Sequence, residues 1–348
     1  MTQRYPVRAS EHANRAATGD VPEVDASVAP VEYEGVATAP LSIIAPRRLG
    51  ETELAVYPLA LGTAALARAD DVEAAQAVLD RYMKLGGNLI VTSDAHSRGL
   101  ANAIVGGWMH RRDVRENLVL DLRVGSGEES PGLGQVNLIR SVESALRRLA
   151  TDRVDILTLE GPDGGTQLSD TLATVEWLID TGKVRFVAFS GFPAESLMEA
   201  RVLSSLGLPK VAAIEVPYNL MNRGAFEGDL RIVSAAQSLG VLPVQALGHG
   251  YLAGAYRSRS RMDAAARVAG VGAYFGRRGN RVLQVLERVA TERGLSMATI
   301  AIAWLLAKRG VVAPVVNVAS AAEVDDLMVA CSVSLSRTDM LDLDRVSE

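Results

Sequence analysis

From Leu41 onward, short apolar runs alternate with longer stretches in which apolar residues recur every three or four positions. The apolar runs are Leu59–Gly62, Asn88–Ser93, Leu118–Leu122, Val154–Leu159, Val184–Phe189, Val211–Val216, Val241–Ala246 and Val312–Val316. Each is four to six residues long and rich in β-branched or aliphatic side chains, the signature of strands buried on both faces. Between them lie helix patterns such as Asp70–Leu85, Gly134–Ala150, Ser169–Thr181, Arg281–Arg293 and Ser296–Lys308, the last with Ser296 as N-cap. Eight strands alternating with helices imply a parallel sheet, and eight units of this length most often close into a (β/α)8 TIM barrel. The alternative is an open doubly wound sheet. It calls for a glycine-rich turn after the first strand, and Gly62-Thr63-Ala64-Ala65 is not one.

Two segments depart from the alternation. Residues 1–40 mix Ala, Pro, Glu, Ser and Thr without apolar periodicity and read as a disordered tail, leaving 41–348 as a single barrel domain. Ser42–Ile44 and Glu53–Tyr57, joined through Arg47-Arg48-Leu49-Gly50, read as a β-hairpin ahead of the first barrel strand. The segment before the last strand is long and arginine-rich (Arg257, Arg259, Arg261, Arg277, Arg278). It reads as a solvated loop, with phosphate binding as the alternative.

Composition narrows the class. The chain has 348 residues, a formal net charge of -5 and 48% hydrophobic residues, enough for a large core and with no basic excess for nucleic acid or an anionic membrane. No apolar run reaches the roughly 20 residues of a membrane span, and the N-terminus lacks a basic-then-apolar leader. The only cysteine, Cys331, lies in an apolar stretch and reads as a buried structural thiol in a reducing compartment. A cytoplasmic protein is expected, and the Ala-, Arg- and Val-rich composition suggests a bacterial one. No set of His, Cys and carboxylates has metal-ligand spacing.

Several strings are specific. Arg48-Leu49-Gly50 followed by Pro58–Thr63, then Gly87–Asp94, then Arg140–Leu149 with Asp155, run in order. Leu178–Arg185 with Ser190, Tyr218-Asn219-Leu220 with Asn222-Arg223, and Ile300–Leu305 follow. Together they resemble the aldo-keto reductases from about Arg47 to Asp344. That resemblance implies NADPH lying extended across the C-terminal barrel mouth. It also implies an aspartate, a tyrosine, a lysine and a histidine that carry out carbonyl reduction.

Placed by the local strings, those four positions fall on Val91, His96, Arg123 and Glu160. Valine cannot pair with a cation, and arginine keeps the charge without ever deprotonating. A histidine of ordinary pKa is only partly protonated at neutral pH. Glu160 matches the glutamate that steroid 5β-reductases of the family carry at the histidine position. Of the nicotinamide contacts, Ser190 is retained. Gly191, Glu215, Val244 and Gln245 replace the others, and Ala319 and Leu327 stand where the family binds the 2′-phosphate.

Three readings follow. In the first, His96, Arg123, Glu160 and Glu215 perform acid–base chemistry on a carbonyl- or carboxylate-bearing small molecule, by isomerisation, dehydration or cyclisation, with no cofactor. In the second, the chain is an NADP-dependent oxidoreductase in which His96 replaces the tyrosine and Glu160 polarises the carbonyl. In the third, it is a non-catalytic barrel binding a metabolite or protein, with an Arg123–Glu160 salt bridge filling the vacated site. Asp94 reads as a loop cap, with replacement of the missing aspartate as the alternative. His249 in Gly248-His249-Gly250 reads equally as an anion contact or an exposed loop residue.

Overall fold

The structure, a computed structural model, describes residues 44–66 and 72–348. The expected tail, the strand residues Ser42 and Ile43 and the helix start at Asp70 lie outside those residues. Two short antiparallel strands come first, β1 (Arg47–Arg48) and β2 (Ala55–Val56). Eight strands follow: β3 (Ala60–Gly62), β4 (Leu89–Ser93), β5 (Val119–Val124), β6 (Val154–Glu160), β7 (Val184–Ser190), β8 (Val211–Pro217), β9 (Gly240–Val244) and β10 (Val315–Asn317). All are parallel, in the order β10-β3-β4-β5-β6-β7-β8-β9. The two edges meet where Val241 N donates to Gly310 O (3.1 Å) and Val312 N donates to Val241 O (2.8 Å). This closes a (β/α)8 barrel.

The helices outside it are α1 (Val72–Lys84), α2 (Leu100–Arg112), α3 (Gln135–Leu149), α4 (Leu168–Asp180), α5 (Ala194–Ser205) and α6 (Asp229–Ala236). After β9 come α7 (Ala264–Val268), α8 (Arg277–Arg293) and α9 (Met297–Leu306), and after β10 come α10 (Ala321–Val329) and α11 (Arg337–Ser347). Ser296 caps α9 as expected, its side chain accepting from Thr299 N. No single helix among the described residues is long and apolar enough to cross a membrane.

Several boundaries differ from the sequence reading: the helix expected from Arg281 begins at Arg277, so Arg277-Arg278 are helical rather than loop, and the strand expected to reach Ala246 ends at Val244. Two more have a clear local cause. Arg47-Arg48 is strand rather than turn, because the tight turn lies one step later. Leu49 N donates to Leu54 O, Thr52 N donates to Leu49 O, and Gly50 takes φ +56° against the Ala212 carbonyl, where a Cβ would collide. The last strand begins at Val315 rather than Val312. Pro314 has no N–H for a ladder, so 310–312 only close the barrel and pairing with β3 starts after it.

Alternate residues of the strands face inward, and most of the interior is an apolar cluster. Ala60, Leu89, Val91, Val119, Ile156, Ala188, Ala213, Leu242 and Val315 pack there with Leu49, Leu54 and Val56 of the hairpin. The hairpin tip lies against the starts of β8 and β9 and so plugs the N-terminal end. The other end, where polar side chains emerge, is the mouth.

At the plugged end Asp155 is buried. It accepts from Leu120 N (2.9 Å), Arg115 Nη2 (3.0 Å) and Arg185 Nη1 (2.8 Å), tying β5, β6 and β7 together. Asp155→Ala is expected to lower unfolding stability by about 3 kcal/mol in urea titrations, since it removes a buried acceptor from two guanidinium groups. A change below about 0.5 kcal/mol, the range of ordinary surface substitutions, would show that the network is dispensable.

Candidate active site

Four polar side chains gather at the mouth because four strands end in the same inward phase. Arg123 follows Val119 and Asp121 on β5, Glu160 ends β6, Ser190 ends β7 and Glu215 lies on β8. The register sets Arg123 beside Thr158, Glu160 beside Ser190 and Ser190 beside Glu215. Of the sequence candidates, the structure therefore unites Arg123, Glu160, Glu215 and Ser190.

The guanidinium of Arg123 stands between two carboxylates. Its Nη2 donates to Glu160 Oε1 at 2.7 Å. Its Nε lies 2.9 Å from Glu215 Oε2, close as charges but off line for a hydrogen bond, so Arg123 Nε and both Glu215 oxygens lack an aligned partner. Both oxygens of Glu160 accept one hydrogen bond each, because Ser126 Oγ donates to the other at 2.5 Å, and each keeps a further lone pair. Burial differs sharply across the group. The side chains of Arg123 and Glu160 are 20% and 34% exposed, and Glu215 is 0%.

These environments act on protonation. Burial pushes the Glu215 carboxyl up to about 7; the Arg123 cation opposes the shift, Glu160 adds to it, and the Ser190 hydroxyl favours the ionised form. Burial alone would lower the Arg123 pKa, but the surrounding carboxylates outweigh it and hold the guanidinium above its ordinary value. Asp94, just past β4, is raised by its own burial with Glu160 adding to it, while the Ser141 hydroxyl on α3 opposes. Its Oδ1 is buried without a partner, and no ion pair joins it to Arg123 among the described residues.

His96 opens the one-turn segment His96–Gly99 that follows the β4 end of the mouth. Ser97 and Arg98 both adopt left-handed backbone there (φ 47° and 53°), a conformation that non-glycine residues hold only when their surroundings impose it. A pocket of about 270 Å³ opens beside this turn, bounded by Asp94, Arg98 and Gly127 on the loops and Ser141 and Arg148 on α3.

Elsewhere the arginine-rich segment is not uniformly solvated. Arg278 is drawn inward, donating to Met221 O (3.0 Å) and the Ser347 carbonyl, whereas Arg257 makes an exposed pair with Glu287. Cys331 is half-buried beside Tyr57 and Arg47, and burial pushes its thiol up to about 12.

Two site residues were not singled out by sequence reasoning. Ser126 lies in a glycine-flanked loop and gives no signal. Asp121 did leave one: a carboxylate in the inward phase of an otherwise aliphatic strand, two residues before Arg123.

The barrel, its hairpin plug and a polar mouth at the strand C-termini define an α/β barrel of the kind whose active sites lie at that end. The sequence model of the Aldo/keto reductase family matches residues 58–348, and the chain belongs to that family. It is 27% identical over 274 residues to a probable voltage-gated potassium channel subunit beta of Oryza sativa subsp. japonica (74% of this chain, 82% of that one). It is 24% identical over 327 residues to an aryl-alcohol dehydrogenase of Pestalotiopsis microspora (88% and 84%). Norsolorinic acid reductase B of Dothistroma septosporum is 25% identical over 321 residues (86% and 80%).

Because burial raises the Glu215 carboxyl from 4.5 to about 7, the folded chain keeps a proton between those values that the unfolded chain has released. Stability is therefore fully present below the lower value and is lost as pH rises through the higher one. Over that interval the wild type is expected to lose about 3 kcal/mol more than Glu215→Gln, read from urea unfolding at each pH. Parallel curves would mean that Glu215 ionises normally.

Proposed function

We propose that the barrel mouth acts on a small carbonyl- or carboxylate-bearing molecule by acid–base chemistry that needs no nicotinamide: isomerisation, dehydration or cyclisation. One observation carries this reading, the Arg123 guanidinium held between Glu160 and Glu215, with Glu215 able to exchange a proton near neutral pH. A fixed cation stabilises the oxyanion that forms when a proton leaves the carbon beside a carbonyl. Glu160, oriented by Ser126 and partly exposed, is the base, and His96 on the loop after β4 is the proton shuttle. Glu215 tunes Arg123 from below, and Ser190 completes the wall.

The dinucleotide that the family implies has few of its contacts on this chain. Glu215 is committed to Arg123, Val244 offers no ring for stacking, and Leu327 is buried in the core. At the 2′-phosphate end the Ala319 amide donates to Glu323 Oε2 at 2.9 Å, so a carboxylate occupies the start of α10. Such a charge opposes a phosphate where a cation would hold it. These residues do not fit a 2′-phosphorylated dinucleotide.

A second reading, an NADP(H)-dependent oxidoreductase, is favoured by the names of the relatives, among them a dehydrogenase and a reductase that each match over four-fifths of this chain. It needs Ser190 as a cofactor contact and a proton from His96. The Arg123–Glu160 ion pair is also what a non-catalytic metabolite-binding barrel would hold at this place.

The protein as purified, analysed by mass spectrometry for small molecules, separates the readings. A carbonyl or carboxylate metabolite without NADP(H) is expected. Recovery of stoichiometric NADP(H), or a micromolar Kd for NADPH by tryptophan fluorescence, would overturn the cofactor-free reading. On the recovered compound, His96→Ala and Glu160→Gln should each lower kcat about 10²–10⁴-fold. Unchanged turnover in both would remove them from the mechanism, and no turnover in the wild type would favour the binding barrel.

A further inference from the structure

Beneath Arg123 lies a second buried carboxyl. Asp121 is fully buried on β5, on the same face as Arg123, with Val91 of β4 and Ile156 of β6 as its register partners. Its Oδ1 accepts from Thr158 Oγ1 at 2.6 Å, and its Oδ2 has no partner. Glu215, also fully buried, has both oxygens without an aligned hydrogen bond. The charged groups facing the pair are Arg123 from β5 and Glu160 from β6, and the interior positions of β3, β4, β7, β9 and β10 carry none.

Charge counting decides what this arrangement holds. Asp121, Glu160 and Glu215 face one guanidinium, so with all three ionised the layer would carry a net charge of about -2. Glu160 reaches solvent and has Ser126 and Arg123 as donors, which leaves the excess on the two carboxyls that solvent does not reach. Two like charges sharing one dry site do not both ionise near neutral pH.

We infer that Asp121 and Glu215 hold one proton between them at neutral pH, and that Asp121 is a positioning residue that keeps Glu215 proton-bearing beside Arg123. The orphaned Asp121 Oδ2 and the unaligned Glu215 oxygens are the atoms that carry it. Burial and the Glu215 charge both raise the Asp121 carboxyl, in keeping with a shared site. With the proton in place the layer's charge is closer to balance, and Arg123 keeps attraction to spare for an oxyanion arriving at the mouth. The same aspartate stands one strand away from Val91, where the family resemblance places a carboxylate serving the cation.

The catalytic use of this proton rests on the acid–base reading of the mouth, but the proton itself does not, and its test needs no substrate. Difference infrared spectroscopy of the full chain against its variants reads the carbonyl stretch of protonated carboxyls, with groups common to both, Asp94 among them, cancelling. Wild type is expected to show the band at neutral pH and lose it on titration to alkaline pH. Asp121→Asn and Glu215→Gln should each abolish it, since either leaves a single fully buried carboxyl beside the guanidinium, with no like-charged buried partner to hold a proton against. Glu160→Gln should retain it and move its titration to lower pH. Absence of the band in wild type, or its survival in either Asp121→Asn or Glu215→Gln, would overturn the shared proton. If the band behaves as expected while no carbonyl compound is recovered, the proton stands and the proposed chemistry falls.

Discussion

A planar cation that cannot give up its proton, fixed at a barrel mouth above an apolar interior, is the constraint on which the site depends. Arg123 brings a permanent charge into a layer built from strand ends, and burial of such a charge is tolerable only where acceptors surround it. Glu160 and Glu215 answer that demand from opposite sides, one at the rim and one below. A lysine there would be a point charge able to lose its proton. The arginine fork instead binds two carboxylates at once and holds both in place.

The scaffold makes this affordable. The inward positions below the polar layer are aliphatic from Val91 and Val119 across to Ala188 and Leu242, and the Leu49–Val56 hairpin seals the far end. Water therefore has little access from beneath, and each charge interaction at the mouth acts across a medium that screens weakly. The same dryness raises the Glu215 and Asp121 carboxyls, so apolar packing in the barrel and proton affinity at its mouth share one cause.

Family membership rests on the barrel as a whole. The resemblance to aldo-keto reductases spans the barrel, whose strands, helices and hairpin are conventional for the fold. Barrels keep their packing in the strands and sheath while chemistry is rewritten at a handful of strand ends. The residues at those ends here (Arg123, Glu160, Ser190 and Glu215) form a polar cluster centred on the Arg123 guanidinium.

Residue order alone determined the eight strands, their alternation with helices and the face on which polar side chains emerge, because buried parallel strands need unbroken apolar runs and surface helices need a 3.6-residue period. It marked Arg123, Glu160 and Glu215 through the family resemblance, which places them at or just beyond strand ends. It misjudged the hairpin register and the start of the last strand, which depend on the contact of Gly50 with Ala212 and on Pro314 lying between a closing bridge and a ladder. Only the tertiary structure decided which charges meet: that Glu215 reaches Arg123 from across three strands, that Ser126 turns back to Glu160, and that Asp121 is left with an orphaned oxygen. Those outcomes follow from barrel closure and register, which bring together residues almost a hundred positions apart. A linear pattern carries each residue's polarity, not its distance from a partner or its depth below solvent.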